Sequence, residues 1–381
     1  MNVTIAGTGI TKFGELWGTS PRELAHRAVD EALADAGLVI GDIEFLVVGN
    51  MLSAFLGNQQ HVGALFAEEL GITGSSYTVE GACASGGLAI HTAVMGLVSG
   101  QYRTACVLGI EKMTDHKPEL VSSALMAAGT NEERLAGGTF PGMYAMLARS
   151  HMQAYGTTEK DLASVAVKNH FHGSLNIKAQ YQNPITVQQV LTSGRIADPL
   201  KLLDCSPMSD GAAAVILTTK KVKKGVSIIG SAVAVDTLGL AHRASLTELL
   251  STKRAAKKAY QQAGIIPDKV DCAEVHDCFT IAEIMALEDL GLYKKGSAAH
   301  AISGGKVTLG SAKHLVVNTS GGLKACGHPV GATGVKQIVE IADQMRGRCG
   351  KRQLEHPSIG LAHNVGGSGA TAVIHVLKNN Q

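Results

Sequence analysis

The chain has 381 residues, 45% hydrophobic and 17% charged, with a net charge of +2 at pH 7, which suits a large core spread over about two domains and excludes a basic, aromatic-interleaved nucleic-acid surface. No run of about 18 apolar residues predicts a membrane span, and the N-terminus lacks the basic and apolar regions of a signal peptide. Seven cysteines, an odd number with no Cys-x-x-Cys pair, point to a reducing cytoplasm and away from a disulfide framework or a structural zinc site.

The first segment, Ile5-Ala-Gly7-Thr-Gly9, opens like a dinucleotide fingerprint. Its third glycine position holds Lys12, so no nicotinamide site is expected. Arg27 to Gly37 then reads as an amphipathic helix ending on a glycine, followed by an apolar strand from Ile43 to Gly49. The same succession returns 227 positions later, with a helix from Arg254 to Gly264 and a strand from Val270 to His276. A second pair, Asp210 to Ile216 and Ser368 to Ile374, closes each copy at an offset of 158. The first copy is therefore longer by 69 residues. Two copies of one α/β unit are expected: an N-terminal half at 1–116 and 201–224, an inserted loop subdomain at 117–200, and a C-terminal half at 225–381. The insertion is placed where the pattern turns irregular and polar, at Asn131–Arg134, Asn169–His172 and Tyr181–Pro184. Lys220 to Lys224 is the densest basic run and reads as a solvated turn.

Four segments could carry chemistry. Thr78 to Gly87 leads from a short strand through Gly-Ala-Cys83-Ala-Ser-Gly into a buried helix over Leu88–Val98. Cys83 at a helix N-terminus would have its thiol pKa lowered by free N–H groups; the alternative is a small buried core cysteine. Glu274-Val-His276-Asp-Cys278-Phe279 ends a strand, so His276 and Cys278, two apart, could face one cavity, or satisfy the backbone and pack. Gly327-His328-Pro329, flanked by further glycines and followed by a helix, holds a histidine rigidly enough for acid–base work. Ala362-His363-Asn-Val-Gly366-Gly-Ser-Gly can present backbone N–H groups to an oxyanion, or form a simple turn.

Together, Cys83 in Gly-Ala-Cys-Ala-Ser-Gly, His276-Asp-Cys-Phe279, Gly327-His328-Pro329 and His363-Asn-Val-Gly366 resemble the thiolase family over essentially the whole chain. The closer resemblance is to its sterol-carrier-protein-like branch, which includes archaeal acetoacetyl-CoA thiolases and has His-Asp-Cys-Phe where other thiolases have Asn-Glu-Ala-Phe. The resemblance implies the α/β thiolase fold, with duplicated halves in an α-β-α-β-α layering and an inserted loop subdomain. It implies an acetyl-CoA C-acetyltransferase that condenses two acetyl-CoA, or thiolyses acetoacetyl-CoA, through an acyl-Cys83 intermediate, as in the mevalonate route to isoprenoids. Cys83 matches the nucleophile, His328 the base that activates it, and His276 the position that orders an oxyanion. Gly366 matches an oxyanion-hole glycine. Other thiolases carry a second catalytic cysteine in a Cys-x-Gly loop; here that loop is His363-Asn-Val-Gly366, and Cys278 becomes the candidate proton shuttle.

The resemblance further implies acyl-CoA substrates with no metal and no redox cofactor, a cytoplasmic homodimer, and two possible partners: a hydroxymethylglutaryl-CoA synthase and an OB-fold acyl-CoA-binding protein. The competing readings are an acyltransferase with a non-CoA acceptor and a thiolase-like subunit without turnover.

Overall fold

A computed structural model describes residues 3–222, 225–311 and 315–380. Its first half contains strands β1 (Val3–Ile10), β2 (Phe45–Gly49), β3 (Ser75–Val79) and β4 (Thr104–Glu111), with helices α1 (Pro21–Ala36), α2 (Ser53–Leu56), α3 (Val62–Leu70) and α4 (Ser85–Val98) between them. Then come α5 (Pro118–Met126), α6 (Asn131–Leu135), α7 (Phe140–Tyr155), α8 (Glu159–Ser174), α9 (Val187–Thr192) and the small hairpin β5 (Arg195–Ala197) and β6 (Leu200–Lys201). Strand β7 (Gly211–Thr218) completes this half. The second half runs β8 (Val226–Val235), α10 (Leu250–Ala263), β9 (Cys272–Glu274), α11 (Thr280–Asp289), α12 (Ala298–Ser303), β10 (Val316–Val317), α13 (Gly322–Cys326), α14 (Val330–Met345), β11 (Ile359–Gly366) and β12 (Thr371–Asn379).

The duplication expected from the sequence is present in the topology. Among the described residues a ten-stranded sheet has the order β10-β9-β11-β12-β8-β1-β7-β4-β2-β3. Counted outward from its own first strand, each half has the same order: first, fifth, fourth, second, third. The halves join edge to edge where β1 pairs antiparallel with β8, Thr4 opposite Ser227. The paired helices α1 and α10 end alike, on Gly37 (φ 65°) and Gly264 (φ 67°) in the left-handed region.

Alternation along the strands sorts the layers. Phe45 and Val47 of β2 face inward with α4, α14 and residues of both halves. Leu46 and Val48 face outward against α1 and α3. On the other half, Leu361 and Ile374 face outward against α10 and α11. The order is thus helices, sheet, the α4–α14 pair, sheet, helices, the α-β-α-β-α layering expected.

Two expectations need correction. Helix α4 is not buried all round, since Met95 and Val98 are half exposed. The stretch Asn169–His172, read as irregular, lies within α8 with Asn169, His170 and His172 buried. Its polar side chains face a buried network instead of solvent: Lys168 pairs with Glu283 at 3.0 Å, and Asn169 donates to Asp277 at 2.6 Å. That erased the apolar period a helix normally displays. Of the basic run, Lys223 and Lys224 lie outside the described residues.

Close crossing of α4 and α14 sets the position of everything chemical. A Cβ on Gly86 would lie 2.7 Å from the Gly331 carbonyl oxygen and 2.8 Å from the Gly334 nitrogen. Backbone atoms cannot give way there, so Gly86→Ala is expected to cost about 2–3 kcal/mol, read as a lowered thermal unfolding midpoint. An unchanged midpoint would contradict this packing.

Candidate active site

Four chain segments converge where the inner ends of α4 and α14 meet the second half. Cys83 precedes α4, His276 and Cys278 follow β9, His328 precedes α14, and Asn364 lies in β11. The Cys83 sulfur and one ring nitrogen each of His276 and His328 lie within 4.8 Å of one another. The imidazoles meet edge to face, with centroids 5.1 Å apart and planes at 84°.

The backbone presents Cys83 on a tight turn. Ala82 has φ 52°, a left-handed conformation costly for a non-glycine residue and one that recurs at functional sites. The turn closes through Ala84 N–H to Gly81 O at 3.0 Å and Ser85 N–H to Ala82 O at 3.1 Å. The Gly87 amide donates to Asn364 Oδ1 at 2.9 Å.

Much of the N-terminal turn of α4 is therefore already satisfied and does not serve the sulfur. The lowered thiol pKa expected for Cys83 is not found. Burial pushes the thiol up to about 12, and the Glu111 and Glu80 carboxylates add to this; amide hydrogen bonds from Gly367 and from Cys83 itself oppose it only in part. Cys83 rests as a thiol and needs a base at the moment of attack.

His328 is built to be that base. Gly327 (φ 115°) makes the bend before it, where a Cβ would lie 2.8 Å from Ser209 Oγ. The His328 amide donates to Ser209 Oγ at 2.9 Å. The Thr333 hydroxyl gives its only proton to Pro329 O at 3.0 Å, so it accepts from His328 Nδ1–H at 2.7 Å. Nε2 of His328 is left with its lone pair. Burial, then the positive charge of Lys336, lowers its pKa to about 3, so the ring is neutral across the ordinary pH range.

His276 has the opposite tautomer. Asn364 accepts from Gly87 N–H through Oδ1 and donates from Nδ2 to Cys83 O at 2.9 Å, which fixes the orientation of its amide. Nδ2 also lies 3.2 Å from His276 Nδ1, which must accept. The proton of His276 is therefore on Nε2, a buried atom with no hydrogen-bond partner. Burial, with His328 and His363 nearby, holds its pKa well below the usual histidine value. One ring accepts at Nε2 and the other donates there. That pairing suits proton removal beside a developing oxyanion. It does not suit a metal ion, which would need lone pairs on both nitrogens.

Cys278 is fully buried, and burial holds its thiol well above the ordinary range; a hydrogen bond from Tyr144 is the largest opposing influence. The amide that reaches the Cys83 sulfur is that of Gly367, the residue after Gly366. A cavity of 450 Å³ runs along Gly81, Ala82, Gly366 and Gly367, between Leu52, Phe55, Ala124 and Leu238. A larger groove of 1120 Å³ along α10 lies away from these side chains.

The sequence reading named Cys83, His276, Cys278, His328 and Gly366, and the first four lie together here. It did not assign Asn364, Thr333, Ser209, Tyr144 or Glu111. Glu111 accepts from Asn50, from the Met51 and Leu52 amides, and from Gly331 N–H at 3.1 Å, which ties the end of β4 to the start of α14.

These pKa directions have a measurable consequence. Inactivation by iodoacetamide is expected to be slow at pH 7 and to rise about tenfold per pH unit without a plateau below pH 9, following the thiolate fraction. A plateau between pH 6 and 8 would show a preformed Cys83 thiolate. Because His328 protonates only near pH 3, the acid limb of acylation should fall well below the usual histidine range.

The family description "Thiolase, N-terminal domain" matches residues 3–221, and "Thiolase C-terminal domain-like" matches residues 232–379. An acetyl-CoA acetyltransferase of Methanothermobacter thermautotrophicus is 44% identical over 98% of this chain and 99% of its own. Human sterol carrier protein 2 is 32% identical over 97% of this chain and 71% of its own. A solved structure described as an Ltp2-ChsH2(DUF35) aldolase superposes with a TM-score of 0.84 at 26% identity, covering 100% of this chain and 98% of that one.

Proposed function

This chain belongs to the thiolase family along nearly its whole length, and on that premise we propose that it is an acetyl-CoA C-acetyltransferase working through an acetyl group on Cys83. The observation that carries this reading is the pair of buried neutral histidines with opposite tautomers beside one cysteine. The archaeal relative named an acetyl-CoA acetyltransferase supports the choice of substrate.

In the proposed reaction His328 Nε2 takes the Cys83 proton as the sulfur attacks the acetyl-CoA carbonyl. The oxyanion forms against His276 Nε2–H and backbone N–H groups of the Gly366–Gly367 turn. CoA thiolate departs with the proton of Cys278, leaving a Cys278 thiolate and a His328 imidazolium. A second acetyl-CoA gives its α-proton to Cys278. Its enolate oxygen is held by the Nε2–H groups of His276 and His328, and its carbon attacks the acetyl group. Cys83 leaves as a thiolate and recovers its proton from His328. Every proton returns to its starting group, so side chains and CoA thioesters supply all the chemistry. Thiolysis is the reverse.

Steady-state thiolysis of acetoacetyl-CoA with free CoA tests this choice of substrate. Turnover there supports it; acyl-Cys83 formation without such turnover would favour a non-CoA acceptor.

We also propose a cytoplasmic homodimer. Strand β3 is an open edge of the sheet, and Tyr77, Met95 and Val98 beside it are exposed apolar side chains. A larger complex with a hydroxymethylglutaryl-CoA synthase and an OB-fold acyl-CoA-binding protein, in the mevalonate route, would pass acetoacetyl-CoA on and draw an unfavourable condensation forward. The structural relative whose description pairs Ltp2 with ChsH2(DUF35) gives that partner reading some support. Light scattering of the native complex distinguishes a dimer alone from a dimer with partners.

A further inference from the structure

We propose that Tyr144 is a positioning residue for the carbon–carbon step, joining the Cys278 sulfur and the Gly367 turn in one hydrogen-bonded unit; this rests on the thiolase reading above. Tyr144 comes from α7, in the stretch between β4 and β7, so it reaches the site from outside the strand ends that carry Cys83, His276 and His328. It is 1% exposed, and its ring stacks on Phe279 with centroids 4.6 Å apart. Its hydroxyl donates to Gly367 O at 3.1 Å and is hydrogen-bonded to the Cys278 side chain. The Gly367 amide in turn faces the Cys83 sulfur. One phenol oxygen therefore connects the surroundings of both sulfurs.

A phenol has a single proton, and that fixes what Tyr144 can do. While Cys278 is a thiol, the phenolic proton sits on Gly367 O and the phenol oxygen accepts from Cys278 S–H. Once Cys278 has given its proton to the departing CoA, the phenol turns and donates to the new thiolate. When Cys278 takes the α-proton of the second acetyl-CoA, the phenol turns back. No proton leaves the tyrosine at any stage. Burial keeps its own pKa well above the usual value, so it remains a donor throughout. The thiolate stage is the one that needs help, because a buried anion without a hydrogen bond is costly.

The test is a double-mutant cycle in the full-length protein. Tyr144→Phe keeps the stacked ring and removes only the hydroxyl. Acetylation of Cys83, followed by rapid-quench mass measurement, should stay within about twofold of wild type, while kcat for condensation and thiolysis falls about 10- to 100-fold with KM nearly unchanged. The pH dependence of the carbon–carbon step should move to higher pH, since the Cys278 thiolate loses its donor. In a Cys278→Ala background the same substitution should add less than about twofold, because it acts through that sulfur. Equal losses in both backgrounds, an equal loss of acetylation, near wild-type kcat, or a thermal midpoint lowered enough to unfold the variant would each assign the hydroxyl a merely structural role and overturn the proposal. Failure of the thiolase reading itself would look different: no acetyl-enzyme in the wild type.

Discussion

Cys83→Ala is expected to lose acetyl-CoA labelling altogether and to lower turnover by at least about 10⁴-fold, with thermal stability nearly unchanged. The first effect follows because no other cysteine near the site is placed to take the acetyl group. Cys278 is hydrogen-bonded to Tyr144, and His328 Nε2 is directed at the Cys83 centre. The second follows because a thiol is exchanged for a methyl group at a small, buried position, 9% exposed. The hydrogen bonds that hold the turn use the backbone and Asn364, not the sulfur alone. Full-stoichiometry acetylation persisting in this variant would refute the assignment, whatever the turnover.

Cys278→Ala is expected to separate the two halves of the reaction. Attack by Cys83 depends on His328, so acetylation should survive within a few-fold. Removal of the α-proton depends on a different base, and condensation and thiolysis should fall by about 10²–10⁴-fold. Intact-mass and steady-state measurements on one preparation give both readouts. Near wild-type thiolysis would move the proton transfer to His363 or to water. His363 is the next candidate because Nδ1 lies 3.5 Å from the His276 amide, although its Nε2 is engaged with Thr252 at 3.0 Å.

Much of the fold was legible because it is repeated. A helix closing on Gly37 has its counterpart closing on Gly264, and the strands that follow each share an apolar pattern, so two weak signals reinforced one another. Helix α8 was not legible. Lys168, Asn169 and His172 are buried against Glu283, Asp277 and Asn318 from the second half, and a polar residue inside looks the same in sequence as a polar residue outside.

The site divides in a similar way. Cys83, His276, Cys278 and His328 each occupy an unusual local sequence, and each could be singled out. Asn364 and Thr333 were quoted within their motifs but had no assigned task, because their roles exist only across the α4–α14 crossing. Tyr144 carried no signal, since an α7 aromatic reads as core. The thiol pKa was misjudged for a related reason. A helix N-terminus promises free amides, but whether the sulfur receives them depends on the Ala82 turn and on Asn364 from β11, both of which take those amides first.

Intact-mass measurement of the wild-type protein, quenched after brief exposure to acetyl-CoA and mapped by digestion, tests the central claim most directly. One acetyl group per chain on Cys83, released when free CoA is added, is the predicted result; an unmodified chain, or an acetyl group on another residue, would contradict it.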